Sequence, residues 1–333
     1  MVLNKLQRGV RAATAVLPFV VIGALLYAGV FIKPKSNGDS VPVPVLGARD
    51  AFYGVASPAE NVIWAVGRGG KIVRSEDGGR KWARQPSATD ANLQSIAAWD
   101  AARAVVVGND ATVLLSADGG RSWQAGAGLP SEAQGRKLIR VRRAADGSAY
   151  AVGEFGLVLS APRFGGAWES LGRQEDVAWN DIAASGHTLI LVGEFGRVRR
   201  SADGGRSWQD VASPVKSSLL GVAVSADGRL AVAVGLEGVV LLSADDGRSW
   251  RAVSSGTREH LFGVTATSAG WAAVGDKGLL LRAPADAQTW EARRLSENSY
   301  AWHTDVEAHA GRLYLAGATL SVLGLDNKPE QFK

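Results

Sequence analysis

The side chains that most readily carry out chemistry are few in this sequence and poorly spaced for it. Four histidines, His187, His260, His303 and His309, show no metal-ligand spacing and read as satisfied or exposed side chains. Cysteine is absent, which removes disulfides, zinc–thiolate sites, a thiol nucleophile and a lipidated-cysteine anchor. No glycine-rich loop with a lysine could cradle a phosphate, and no Gly-x-Ser-x-Gly elbow presents a nucleophile. Serine and aspartate do recur two residues apart, at Ser75 and Asp77, Ser116 and Asp118, Ser201 and Asp203, and Ser243 and Asp245. A tryptophan closes each element: Trp82, Trp123, Trp208 and Trp250. A catalytic group has no reason to appear four times. An aspartate that accepts N–H bonds within a glycine-rich turn, with a tryptophan packed behind it, accounts for the same residues. No catalytic, cofactor-binding or metal-binding residue is assigned.

Residues that could bind a partner are easier to find. Lys137-Leu138-Ile139-Arg140-Val141-Arg142-Arg143 stands where other units carry Gly221, Gly263 or Ala97. Asp181 in the next unit aligns with Arg140. Arg140, Arg142 and Arg143 are therefore read two ways, as part of a buried ion pair or as a basic patch that docks an acidic segment. Glu154-Phe155 and Glu194-Phe195 occupy the same turn position in adjacent units. Two exposed rings on one rim would suit a protein contact, and rings tucked over neighbouring strands are the alternative.

The elements that position these residues follow from an internal repeat. Glycines recur at Gly67, Gly108, Gly153, Gly193, Gly235, Gly275 and Gly317, and tryptophans at Trp82, Trp123, Trp168, Trp208, Trp250 and Trp290. Both series keep a period of about 40–45 residues. Within a unit, short apolar strands alternate with Gly- and Asp-rich turns, a pattern of strands buried on both faces. Four-stranded sheets packed against copies of themselves form a propeller. The expected fold is all-β, a seven-bladed β-propeller over residues 41–326. Its last unit lacks a fourth strand, and Val41-Pro42-Val43-Pro44-Val45-Leu46 is expected to supply it, closing the ring with an N-terminal strand.

Ahead of the propeller, residues 13–32 carry no charge and are long enough for a transmembrane helix. The expected order is a cytoplasmic N-terminus (1–12), a membrane anchor (13–32), a linker (33–40), the propeller, and a C-terminal tail (327–333). A cleaved signal peptide is the rival reading. The chain has 333 residues and a formal net charge of +5, without a long basic run. Nucleic-acid binding is not inferred.

Ser-x-Asp-x-Gly-x-x-Trp is the Asp-box, or bacterial neuraminidase repeat. It stands as Ser75-Glu76-Asp77-Gly78-Gly79-Arg80-Lys81-Trp82, again at 116–123, 201–208 and 243–250, and in degraded form at 160–168 and 282–290. With Val-Gly-x-x-Gly in the full units, the sequence resembles photosystem II stability and assembly factor propellers, which have bacterial relatives outside photosynthesis. That resemblance implies a non-catalytic scaffold that binds a membrane-protein complex and uses an arginine-rich patch. Bacterial members are associated with exporters of the resistance-nodulation-division (RND) type. The expectation is therefore an accessory propeller on the periplasmic side of a bacterial inner membrane, with such an exporter as partner. Assembly of a photosystem is a further expectation. The alternative is a membrane-tethered glycan-binding or sialidase-like glycoside hydrolase propeller. Against it, the Arg-Ile-Pro segment that opens sialidases is missing, and Tyr53, Tyr150, Tyr300 and Tyr314 sit in no recognisable setting.

Overall fold

The computed structural model describes residues 16–29, 44–296 and 299–324, together with the backbone of 329–330. The chain divides into two units, Met1–Pro44 and Val45–Lys333.

In the first unit, residues 16–29 form a helix. At ~1.5 Å per residue a helix of that length reaches only about 21 Å, short of the ~30 Å hydrocarbon core. Among the described residues, no helix is long and apolar enough to cross a membrane. The expected membrane-spanning helix is therefore not supported. The remainder of that span (13–15 and 30–32) lies outside the described residues, as do the expected N-terminus (1–12) and linker (33–40).

The second unit is a seven-bladed all-β propeller, as the repeat implies. Seven sheets each contain four antiparallel strands in sequential order. The blades begin at inner strands Phe52–Ala59, Leu93–Ala98, Leu138–Arg143, Trp179–Ser185, Leu219–Val224, Leu261–Thr267 and His303–His309. The second strands are the driest. Ala104–Gly108, Ala149–Gly153 and Ala231–Gly235 are buried at every position, as strands covered on both faces must be. The apolar clusters lie between blades. Trp123 of blade 2, for example, meets Trp64 of blade 1 edge to face, with ring centroids 5.7 Å apart.

The glycine that marks the period has a steric cause. Gly67 ends the second strand of blade 1 in extended backbone, opposite Phe52. A Cβ on Gly67 would lie 1.9 Å from the Ala51 carbonyl oxygen, and one on Gly317 would lie 1.9 Å from that of Trp302. Close backbone approach at the mouth of each inner hairpin excludes any side chain there.

Ring closure differs from expectation. The fourth strand of blade 7 is Pro329–Glu330, which pairs antiparallel with Ser321–Leu323. The outer strand thus comes from the C-terminal segment expected to be a tail, and not from 41–46. Residues 41–43 lie outside the described residues, and 44–46 form no strand. Val45 and Leu46 instead pack against the cluster shared by blades 1 and 7. A proline that begins an outermost strand costs no ladder bond, so Pro329 fills the role proposed for Pro42 and Pro44.

Candidate functional site

Strand register defines two successive rings of residues along the inner strands. Gly54, Ser95, Arg140, Asp181, Gly221, Gly263 and Asp305 share one position, opposite Val66, Val107, Val152, Val192, Val234, Val274 and Ala316. The equivalent of Arg140 in blade 2 is therefore Ser95, and Ala97 belongs to the second ring with Arg142 and Glu307. Five of these positions carry charge (Arg140, Asp181 and Asp305 in the first ring, Arg142 and Glu307 in the second), and they come from blades 3, 4 and 7.

The charges meet. Arg142 donates to both carboxylate oxygens of Asp181, at 3.1 and 2.8 Å. Arg140 lies 3.7 Å from Asp181 and 3.0 Å from Asp305, so it joins blade 3 to blades 4 and 7. Each carboxylate also accepts a backbone N–H from the following blade, Val222 to Asp181 and Val55 to Asp305, both at 3.1 Å. Burial alone would raise the Asp181 pKa, but Arg142 and Arg140 bring it below the ordinary aspartate value. Burial likewise works against the Arg142 charge, yet Asp181 and Asp305 hold its pKa above normal. Arg140 and Arg142 thus sit inside the ring with carboxylate partners. Arg143 is the exposed member of the cluster, and its Nη1 donates to the Trp99 carbonyl at 2.9 Å.

Beyond the ion pairs lies a cavity of about 430 Å³ between blades 1, 2, 3 and 7, with Arg142, Arg143, Glu307 and His309 in its wall. Burial raises the Glu307 pKa to about 7. Asp305 and Glu307 did not figure among the sequence candidates. Both belong to the last, incomplete unit, and aligning that unit with the others would have shown charge where blades 5 and 6 carry Gly221, Gly263, Ala223 and Thr265. His303 also departs from expectation. It is 1 % exposed, and neither ring nitrogen has a hydrogen-bond partner among the described residues, so it is neither exposed nor satisfied.

The four intact Asp-boxes share one network. Ser201 Oγ donates to Asp203 Oδ1 and accepts from Gly205 N–H, at 2.7 and 2.8 Å. Asp203 also accepts from the N–H and hydroxyl of Ser207. Ser116 with Asp118, Ser243 with Asp245, and Ser75 with Asp77 repeat the pattern. Hydrogen bonds from Ser122 hold the Asp118 pKa down at about 2. In every box the aspartate Oδ1 is tied to the turn, so the boxes close hairpins.

The opposite rim carries turns between second and third strands. In blades 1 to 6 their middle residues, Gly69, Asp110, Phe155, Phe195, Glu237 and Lys277, have φ between 53 and 61°. A bulky ring at positive φ is uncommon. Phe155 and Phe195 remain 51 % and 70 % exposed, and the preceding glutamates work within the same blade. Glu154 accepts from Lys137 N–H at 3.1 Å, and Glu194 from Ala178 N–H at 2.8 Å. Beside this rim, Arg197 and Arg199 both stack on Trp179, at 5.4 and 5.3 Å. Burial favours the neutral form of Glu175, but Arg199, Arg197 and Arg173 hold its pKa down at about 2. Among the described residues, no group of three or more histidine, aspartate or glutamate side chains could hold a metal ion.

No family model matches the chain. Over 92 residues it is 33 % identical to a photosystem II stability/assembly factor of Cyanidioschyzon merolae, a match that covers 25 % of the chain and 21 % of that protein. The chain thus spans about a fifth of the length of this curated relative. A solved structure of YCF48 bound to a D1 peptide aligns with a TM-score of 0.68 and 17 % identity, over 82 % of this chain and 92 % of that one. An ancestral GH74 enzyme aligns with a TM-score of 0.66 and 14 % identity, over 86 % and 46 %. These structural likenesses show the fold. The chain is similar in sequence and in fold to photosystem II stability and assembly factor propellers. The names of the assembly-factor relatives speak of stability, assembly and a bound peptide, and that of the GH74 structure speaks of an enzyme.

Proposed function

We propose that this chain is a non-catalytic scaffold whose propeller binds a segment of a membrane-protein client and assists its assembly. The observation that carries this reading is the likeness to a stability/assembly factor, together with the fold of a propeller solved with a peptide bound. The Asp-box hydrogen bonds support it, because they give the most repeated polar residues a role in closing their turns.

The finer parts of the proposal rest on the sequence. The uncharged run 13–32 tethers the protein to a bacterial inner membrane, the propeller lies on the periplasmic side, and the client is an exporter of the RND type. Affinity purification of the full chain from native membranes in mild detergent, with mass spectrometry, tests this. A stoichiometric polytopic membrane protein supports the scaffold and names the client, and an exporter or a photosystem subunit decides between those two. A protein that purifies alone overturns the scaffold reading. Alkaline carbonate extraction tests the tether, and recovery of the full chain in the soluble fraction removes it.

One observation favours a second reading, a glycan-binding or glycan-cleaving propeller. A cavity of about 770 Å³ between blades 1 and 2, on the Asp-box side, places the half-buried Trp82 beside Glu76, Asp118, Lys81 and Arg121. Ring faces with flanking polar groups suit sugars. Binding on a glycan array that is lost in Trp82→Ala would support it, and silence on the array would remove it.

A further inference from the structure

The repeat is lengthened most at the connection from blade 2 to blade 3. Fifteen residues separate Trp123 from Leu138, where eleven separate Trp82 from Leu93 and Trp168 from Trp179. The added chain forms a short 3-10 turn, Ser131–Ala133, pinned by Ala133, which is fully buried in the cluster between blades 2 and 3. This turn walls one side of a cavity of about 440 Å³. Its other walls include Arg136, Phe155, Arg173 and Gln174. No equivalent connection elsewhere in the ring has this length.

The cavity holds one guanidinium that lacks a hydrogen-bond acceptor. Arg173 already pairs with Glu175, through Nε at 3.2 Å. The Glu132 carboxylate is held ionised by its own backbone N–H, by the Ser170 and Ser131 hydroxyls and, to a lesser degree, by the nearby Arg136 charge. Among the described residues, the Arg136 guanidinium makes no hydrogen bond and no ion pair. Its Nη1 is buried without a partner, and the group lies 5.1 Å from the centre of the Phe155 ring. A half-buried guanidinium without an acceptor is costly, and a carboxylate is the complement its geometry prefers. The ring beneath it is half exposed and held at positive φ, and the Gly156 that follows has no room for a side chain against Arg173 and Glu175. A cation with a free hydrogen-bonding edge thus stands beside a fixed apolar surface.

We propose that this blade 3 cavity is the docking site for an extended peptide segment that presents a carboxylate next to an apolar side chain. The carboxylate meets Arg136, and the apolar side chain covers Phe155. The site deepens the client-binding reading and rests on it, but it lies apart from the ion pairs within the ring, where Arg140 and Arg142 already have partners.

The test uses the full chain in mild detergent and two short blocked peptides, acetyl-Leu-Asp-Leu-amide and acetyl-Leu-Asn-Leu-amide, with binding followed by calorimetry. The wild-type protein should prefer the aspartate peptide. Arg136→Gln and Phe155→Gly should each weaken it by about tenfold, the scale of one charge-assisted hydrogen bond or one apolar anchor. Phe155→Gly is safe for folding because Gly69 occupies the same turn position in blade 1 at φ 61°. Arg229→Gln, at an exposed turn of blade 5, should leave binding unchanged. Equal binding of the two peptides, or unaltered binding in both cavity variants, overturns the proposal. Co-purification separates it from the broader reading. A client retained by Phe155→Gly leaves the scaffold standing and removes this site. Peptide binding that follows the expected pattern with no client recovered does the reverse.

Discussion

His303 occupies a position that is Phe52, Leu93, Leu138, Trp179, Leu219 and Leu261 in the other six blades, each paired with its period-marking glycine. Burial without a partner pulls its pKa down to about 4. The unfolded chain takes up this proton near pH 6.5 and the folded chain only near 4, so stability falls as the pH drops between those values. His303→Leu should raise stability at pH 7 by ~1–3 kcal/mol, the cost of unsatisfied buried polar atoms, and should flatten the acid loss. Thermal melts at pH 7 and 4.5 check both. Glu307 has the opposite sign. Burial raises its pKa to about 7, while Arg142 opposes the shift and Asp305 adds to it. The folded chain therefore holds a proton that the unfolded chain has lost above about 4.5. Its contribution is complete below that pH and disappears as the pH rises through 7. Glu307→Gln should remove the decline on the neutral side, read from the same melts. The sequence showed both residues plainly. Their surroundings were hidden because each differs from its repeat equivalents, and the departure matters only once the ring places it among neighbours.

At the scale of the element, the Asp-box was legible because its contacts are local. Ser201, Asp203, Gly205 and Ser207 meet within a few residues, so spacing alone specifies the bonds. The exposed aromatic turns were legible for the same reason, since Phe155 and Phe195 fall at one position of the repeat. The cavity beside Phe155 was not. It depends on a lengthened connection packing against a neighbouring blade, and the added residues match nothing in the other units. For the Asp-box, Ser201→Ala removes a buried hydroxyl that both accepts from Gly205 and donates to Asp203. It should cost ~1–3 kcal/mol in urea unfolding, because the Gly205 N–H is left buried and unpaired. The same change at Ser160, in the degraded box without an aspartate, should cost less. Equal losses at the two sites would show that the hydroxyl acts through packing alone. Ser207 hydrogen bonds depress the Asp203 pKa, so the box contributes above the ordinary aspartate range and weakens as the pH falls below it.

At the scale of the whole molecule, blade number followed directly from counting glycines, while the closing strand did not. The alternation of Val41 to Leu46 and its prolines suited an outer strand, and local pattern cannot reveal which end of a chain reaches an open edge. Long-range charge was equally hidden. Arg140 meets Asp305 only because the ring brings blades 3 and 7 together, and their separation along the chain offers no hint of it. Closure can be tested by removing each end. Deleting 327–333 leaves Ser321–Leu323 as an unpaired edge and should lower the melting temperature by several degrees, since a lost strand opens the backbone of the final blade to water. Deleting 1–43 keeps Val45 and Leu46 on their apolar cluster and should leave the melt of the propeller unchanged. The opposite pattern, with the N-terminal deletion destabilising and the C-terminal one silent, would return closure to the N-terminal strand. The outcome also bears on assembly. An unchanged melt after the 1–43 deletion would let the two units be tested separately for membrane attachment and for client binding.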